Sequence, residues 1–282
     1  MALIGREADL EKMNRDALRI AKEVSEKTNT LLAGNICNTN IHDVVDPENR
    51  ARVKQMFKEQ IELAVDEGVD FVIAETFVLF EEAMIALEAI KEFGKGVASV
   101  VTMAANLHDG DNGKNLTVDN VEICEAMKKL EAAGADVVGL NCANGPETIL
   151  GYMELIRKSG VKIPLACVPV LYRTSEKEPT FMKLTDPNTG DNVFPRNLDC
   201  TLCSRDDIFK FGKRCQELGI SYLGLCCGNA ASYTRTLCES IGRTPPASQF
   251  SPKMELHCFF GKDEKVYKHH TKETLQVFVE RK

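Results

Sequence analysis

The sequence predicts an α/β fold in which a parallel sheet is covered by helices. Three observations carry that expectation. Short apolar runs rich in valine and isoleucine recur along the chain, and they are nearly continuous rather than alternating, as in strands buried on both faces. Helix-period stretches separate the runs, so strand and helix alternate. Several runs follow a glycine that ends a helix, as in "DEGVDFVIA", "AAGADVVGL" and "KSGVKIPL"; glycine supplies the left-handed cap there.

In chain order, "MALIGREADLEKMNRDALRIAKEV" is a charged amphipathic helix pattern. Strands are expected at "TLLAGNI" (30–36), "VDFVIAETF" (69–77), "GVASVVTM" (96–103), "ADVVGLNC" (135–142), "KIPLACVPV" (162–170) and "SYLGLCC" (221–227). Helices are expected over 48–66, 80–93, 117–133, 146–159, 205–218 and 230–242. Residues 171–204, "LYRTSEKEPTFMKLTDPNTGDNVFPRNLDCTLCS", form one long connection crowded with Pro, Asn, Asp and Gly. That composition predicts a loop with a small hairpin, and a loop of this length in a compact domain is usually functional. After about residue 244 the strand–helix rhythm stops. The boundaries expected are a barrel-type domain over 1–243 and a C-terminal extension over 244–282, running over the surface or into a partner subunit of a homo-oligomer.

Two architectures compete for this pattern, a doubly wound open sheet and a (β/α)8 TIM-barrel type. No G-x-G-x-x-G follows any strand, which weakens a nucleotide-binding open sheet. Polar and cysteine residues sit at the C-terminal ends of strands, where barrel chemistry sits. Only six strands are recognisable and the chain opens on a helix, two strands short of a closed barrel.

Composition limits the function classes. The 282 residues are 44% hydrophobic and 27% charged, as in a soluble globular chain. A net charge of −7 argues against a nucleic-acid partner. The apolar runs span only a few residues, so no membrane helix is expected, and the N-terminus lacks the apolar core of a signal peptide. The expected compartment is the cytoplasm. The eleven cysteines are then reduced, and a disulfide framework is not expected.

The cysteines raise the question of chemistry. "YLGLCCGNA" (222–230) puts Cys226 and Cys227 side by side at the end of an apolar run. Neighbours on a straight strand point to opposite faces, so both thiols can aim at one point only where the backbone turns, and Gly228 permits a turn. "VVGLNC" ends in Cys142 in the same way. If the two strand ends meet, three sulfurs converge, and three thiolates with an open fourth position suit a catalytic zinc. The plain alternative is that cysteines in apolar strands are small buried hydrophobes; that is the reading for Cys37, Cys124, Cys167, Cys215 and Cys238. Cys200 and Cys203 form a C-x-x-C with no second pair nearby, and they are expected to pack or cap the helix at 205 rather than hold a second metal. Glu75, in "FVIAETF", is a carboxylate at a strand end, costly there unless paired with a partner or a ligand. Asn141 either orients a ligand or holds the strand rim. His108 and His269–His270 read as solvated loop histidines.

"IAET" (73–76), "GLNC" (139–142), "GLCCG" (224–228) and "PPAS" (245–248) resemble the homocysteine S-methyltransferase domain family, which includes the betaine–homocysteine methyltransferases. The resemblance runs from about residue 15 to about 255. It implies a (β/α)8 barrel, zinc held by Cys142, Cys226 and Cys227, and Glu75 on the amino group of homocysteine, with Thr76 and Asn141 beside it. The implied reaction moves a methyl group from an onium donor, such as betaine or S-methylmethionine, to homocysteine, giving methionine. Zinc is the only cofactor implied. The alternative is a truncated, catalytically impaired homologue that binds zinc or a partner subunit. Three departures from the family pattern bear on this. The family's first strand, its helix and second strand precede the point where this chain starts, so the chain is expected to be a fragment, a mispredicted product or a short form. Leu225 replaces a family glycine, and is expected to crowd the substrate or repack the rim. Thr76 stands where betaine-type members carry an aromatic, so an aromatic cage for an onium donor would have to use Phe77, Phe80, Tyr172 or other rings.

Overall fold

The computed structural model describes residues 5–43, 46–105, 115–228 and 230–257. Six parallel strands form one sheet: β1 (Ala33–Cys37), β2 (Phe71–Phe77), β3 (Ala98–Met103), β4 (Val137–Asn141), β5 (Leu165–Val168) and β6 (Tyr222–Leu223). Their order in the sheet is their order in the chain. A doubly wound sheet reverses its order at a switch point, and this one does not. Every crossover advances one strand in the same direction, so the helices all cover one face.

The sheet also curls. Phe71 on β2 and Tyr222 on β6 meet edge to face with ring centroids 6.3 Å apart. Four strand spacings in a flat sheet would separate those strands by about 19 Å. The face opposite the helices is therefore a barrel interior, filled by Ile73, Val100 and Ala166 with Ala33, Phe71, Val137 and Tyr222 around them. Among the described residues β1 and β6 each pair on one side only. The inward side chains of Asn35 and Cys37 on β1 are accordingly exposed. Six strands of a barrel, open between β6 and β1, is the architecture expected from the sequence.

The helices are α1 (Leu10–Thr28), α2 (Pro47–Asp66), α3 (Phe80–Phe93), α4 (Ile123–Ala132), α5 (Pro146–Lys158), α6 (Arg205–Glu217) and α7 (Ala231–Ser240). Local chemistry sets their ends. Asp46 accepts the Glu48 N–H ahead of Pro47 at the start of α2, and Ser204 with Asp207 forms a capping box on α6. The glycines read as helix stops, Gly68, Gly134 and Gly160, all have positive φ. The main core lies between the sheet and α2–α6, with Phe57, Phe77, Ile85, Leu87, Ile90 and Met103 fully buried. Helix α1 buries no residue completely. It is held to the end of α2 by Arg15 and Arg19 on Glu67, and exposes Met13, Ile20 and Val24 on its outer side.

Two elements are shorter than expected. The helix anticipated over 117–133 begins at Ile123, because Thr117–Glu122 folds into its own turn, in which Thr117 N–H donates to Val121 O. Within that turn Asp119 accepts the N–H groups of Phe80 and Glu81, capping α3, whose own N-cap residue Leu79 has no acceptor. The strand anticipated over 221–227 is regular only at Tyr222–Leu223. Its neighbour β5 runs into Pro169, which has no N–H to continue the ladder.

By its internal contacts the chain divides into two units, Met1–Ile241 and Gly242–Lys282. The described part of the second holds two 3-10 turns, Pro246–Phe250 and Met254–Leu256.

Candidate metal and substrate site

The sulfurs of Cys142, Cys226 and Cys227 lie within 4.8 Å of one another at the C-terminal end of the sheet. Cys142 Sγ is 3.8 Å from Cys227 Sγ, which is 3.9 Å from Cys226 Sγ. A tetrahedral zinc with bonds of about 2.3 Å to sulfur has its sulfurs about 3.8 Å apart. The donor set and its spacing thus fit zinc, and among the described residues it is the one cluster of three or more potential ligands. Cys227 is exposed, while Cys142 and Cys226 are half-buried, so the cluster is reachable from the mouth.

The turn expected after Cys226 is present. Gly228 has φ +84°, and a Cβ there would lie 2.8 Å from Tyr172 Oη. Hydrogen bonds to the last residue of β5 and to the residues just beyond it fix both cysteine-bearing ends. Cys142 N–H donates to Val168 O (2.9 Å), Cys226 N–H donates to Pro169 O (2.8 Å), and Cys227 O accepts from Leu171 N–H (3.1 Å).

The three thiols share charge unequally. Hydrogen bonds from Cys142 and Cys226 pull the Cys227 thiol down to about 3, making it a thiolate at neutral pH. Cys142 is pushed far up by its bonds to Cys226 and Cys227 and by burial. Cys226 is pushed up to about 11; its bond with Cys142 works against the rise, while its bond to Cys227 and burial drive it.

Glu75 stands on the same interior. Its register partner on β1 is Cys37, and the exposed Asn35 amide donates to its Oε1. Burial, and then the Glu75 charge, push up the Tyr222 phenol on β6, the strand that leads to Cys226. Immediately after Glu75 the β2–β3 register shifts, and Thr76 has φ +62°. A bulge of this kind re-aims a side chain at a strand end. Cys142 and Ala143 at the end of β4 are also left-handed, with φ +61° and +54°.

Asn141 joins the two ends. It is 1% exposed. Its Oδ1 accepts from Thr76 N–H (2.8 Å) and from Thr102 Oγ1 (2.8 Å), and its Nδ2 donates to Thr76 Oγ1 (2.6 Å). Sequence reading missed Thr102 and Asn35. The signal was there in both cases, a hydroxyl inside "ASVVTM" and an amide inside "AGNIC", each at an inward position of an apolar strand.

The long connection encloses one side of the cluster. Val170, Tyr172, Phe181, Leu184 and Val193 form a small core of their own, against which Cys142 and Cys226 pack. Tyr172 stacks on Phe181 at 5.5 Å. The small hairpin is present, with Thr185 bridged to Asn192. The other residues of interest distribute as follows. Phe77 is fully buried against Phe57 and is not available to a donor cage, which corrects its place among the candidate cage rings; Tyr172 is the aromatic beside Gly228. Leu225 is partly buried and packs against the main core. Cys203 is buried in the main core with its thiol pushed up to about 12 by desolvation, while Cys200 is exposed and donates to Asn197 O, so the C-x-x-C packs ahead of α6. Cys167 and Cys215 are buried as expected, whereas Cys37 is exposed. His108 and His269–His270 lie outside the described residues. A cleft of about 310 Å³ between α5 and α6, lined by Leu150, Arg173 and Phe211, includes none of the three clustered cysteines.

A family model described as homocysteine S-methyltransferase matches residues 2–241. Among curated proteins, the S-methylmethionine–homocysteine S-methyltransferase BHMT2 of Pongo abelii is 33% identical over 255 residues, covering 86% of this chain and 64% of that protein. Betaine–homocysteine S-methyltransferase 1 of Xenopus tropicalis is 31% identical over 260 residues, covering 88% of this chain and 60% of that protein. Among solved structures, the apo homocysteine methyltransferase MmuM from Escherichia coli superposes with a TM-score of 0.59 at 15% identity, over 83% of this chain and 74% of that one. The chain thus spans less than two thirds of the length of the two curated relatives. No described helix is long and apolar enough to cross a membrane.

Proposed function

The chain belongs to the homocysteine S-methyltransferase family, and from that premise we propose that it moves a methyl group from an onium donor to homocysteine, giving methionine, with zinc as its metal. The observation that carries this reading is the spacing of the Cys142, Cys226 and Cys227 sulfurs at the C-terminal end of the sheet, with Glu75 near the end of β2. A free thiol with a pKa near ~8.5 is mostly protonated at neutral pH. A zinc ion held by the three cysteines would supply the Lewis acidity that keeps the substrate thiol ionised. Glu75 takes the ammonium group of homocysteine, and Thr76 and Asn141 form the rim beside it. The substrate sulfur then bonds to the donor methyl as the methyl's bond to nitrogen or sulfur breaks. The donor leaves as a neutral amine or thioether, and the thiol proton goes to solvent. Tyr172, which lies beside Gly228, is the candidate ring for holding the cationic donor. The two curated relatives are named for different donors, S-methylmethionine and betaine. Thr76 in place of an aromatic favours the sulfonium.

Metal analysis should give about one zinc per chain, and Cys226→Ala should release it. A folded protein purified without chelator and free of metal would sink the proposal. Methyl transfer assayed with betaine, S-methylmethionine and dimethylsulfoniopropionate identifies the donor. The reading includes the cytoplasm as compartment, supported by free thiols at every described cysteine, and a homo-oligomer, to be measured by sedimentation.

One observation favours a second reading, a metal-binding homologue impaired in catalysis. Among the described residues the wall between β6 and β1 is open, and Asn35 and Cys37 face solvent. One zinc per chain together with no transfer from any of the three donors is the outcome that selects it.

A further inference from the structure

We infer that Asn141 is a positioning residue that acts through Thr76 rather than on the substrate. This rests on the reading of Glu75 and the cysteines given above. Two strand ends carry the groups that grip the two ends of homocysteine, Glu75 on β2 and Cys142 on β4. Each turns sharply at that point. Thr76 follows Glu75 with φ +62°, and Cys142 itself has φ +61°. A β-branched residue in the left-handed region is a true outlier, so something must hold Thr76 there.

Asn141 does so with two hydrogen bonds, and a third, from Thr102, holds Asn141 itself. The Thr76 N–H fixes the amide orientation, because a backbone N–H only donates and must face Oδ1. With Oδ1 so placed, Nδ2 meets Thr76 Oγ1, and Thr102 Oγ1 supplies the second donor to Oδ1. Both lone pairs of Oδ1 and one Nδ2 hydrogen are therefore spent on β2 and β3. Asn141 and Thr102 are buried to within 1% of full burial, which keeps water from competing. Because Asn141 is bonded directly to Cys142, the same clamp that sets the Glu75 bulge also sets the backbone from which the Cys142 thiol projects. The distance between carboxylate and sulfur is thus governed by one buried amide.

The test is a double-mutant cycle on the full chain loaded with zinc, with Asn141→Ala, Thr76→Gly and the pair. Homocysteine affinity is read by calorimetry, zinc affinity by competition with a chromophoric chelator, and folding by melting temperature. Glycine holds a left-handed φ without help. Asn141→Ala alone should weaken homocysteine binding by about tenfold or more, the scale for losing a group with several hydrogen bonds. In the Thr76→Gly background the same change should cost less than about threefold, the non-additivity expected when one residue acts through the other. Losses that simply multiply overturn the inference, because Asn141 then acts on the substrate independently. A lowered melting temperature with unchanged homocysteine affinity also overturns it. If Asn141→Ala does not fold, the near-isosteric Thr102→Val carries the test, with an expected weakening of about two- to tenfold for one lost hydrogen bond; unchanged affinity in that folded variant overturns the inference. A wild-type chain that takes up no zinc overturns the site reading and this inference together. A wild-type chain that binds zinc and homocysteine, with a multiplicative cycle, overturns this inference alone.

Discussion

Replacing Glu75 with alanine separates a substrate carboxylate from a structural one. Among the described residues Glu75 makes no ion pair, and its hydrogen-bond partner is the neutral amide of Asn35. A carboxylate in that position has its charge available for a ligand. An ammonium group at 4 Å interacts with it by about 4 kcal/mol at an effective dielectric constant near 20. Desolvation of both ions and residual water at the open wall reduce the net value, so a loss of roughly 2–4 kcal/mol on truncation is expected. That is a weakening of homocysteine binding by roughly 30- to 700-fold. Zinc content should not change, because in the proposed site the three sulfurs would hold the metal. The melting temperature should barely move, because the lost partner is one exposed amide. Glu75→Gln should lose less, since its carbonyl oxygen still accepts from Asn35 and from the ammonium. Calorimetric titration of homocysteine into zinc-loaded wild-type and variant proteins reads the effect, with metal analysis and thermal melts alongside. A folded, zinc-loaded Glu75→Ala protein with wild-type homocysteine affinity would refute the substrate role. Loss of zinc and of melting temperature together would assign Glu75 to the scaffold.

Zinc uptake should release protons at neutral pH, because the raised thiols of Cys142 and Cys226 must ionise to bind it; calorimetry in buffers of different ionisation enthalpy detects the release, and the apparent affinity should rise with pH. In the metal-free protein the lowered Cys227 group adds stability that is present above the unfolded thiol pKa and lost as pH falls through about 3, while the raised Cys226 adds stability that is present below that pKa and lost as pH rises through about 11. Melts across that range check both limbs. Gly228→Ala places a Cβ 2.8 Å from Tyr172 Oη at φ +84°, and Tyr172 is held by its stack on Phe181, so the variant should lose about 1–3 kcal/mol and bind zinc more weakly by chelator competition. Asp119→Ala removes the acceptor for Phe80 and Glu81 N–H and should lower stability by about 1–2 kcal/mol in denaturant titration, with zinc binding intact.

Much of this molecule was legible in its sequence because the signals were local. The apolar runs placed β2, β3 and β4 within a residue or two, and the glycine stops placed the ends of α2, α4 and α5. The adjacency of Cys226 and Cys227 before Gly228 implied a turn that aims both thiols, and the turn is there. The features that stayed hidden depend on contacts far apart in the chain. Thr76 and Asn141 are 65 positions apart, and a β-branched threonine does not advertise a left-handed bulge. Asp119 reads as part of a helix until Leu79 is seen to lack a cap, at which point a turn that caps α3 is worth more than another helical turn in α4. Phe77 looked available at a strand end. The register shift at the bulge leaves it pointing toward the helices, against Phe57.

The cysteine cluster is built on β5, although β5 contributes none of its sulfurs. Cys142 hangs from Val168 on one side, and Cys226 and Cys227 hang from Pro169 and Leu171 on the other. Four consecutive residues therefore set the span between the two cysteine-bearing ends. Pro169 suits that position because it offers a carbonyl to Cys226 and no N–H that would extend the regular ladder. Freed from the ladder, the chain after Leu223 can bend inward and bring Cys227 to within 3.8 Å of Cys142. The same four residues lead into the long connection, whose small core of Val170, Tyr172, Phe181, Leu184 and Val193 backs Cys142 and Cys226. A segment whose composition reads as a surface loop is thus the packing support of the cysteine cluster. Its length is what allows it to carry an apolar core of its own beside a sheet whose edge strands, among the described residues, pair on one side only.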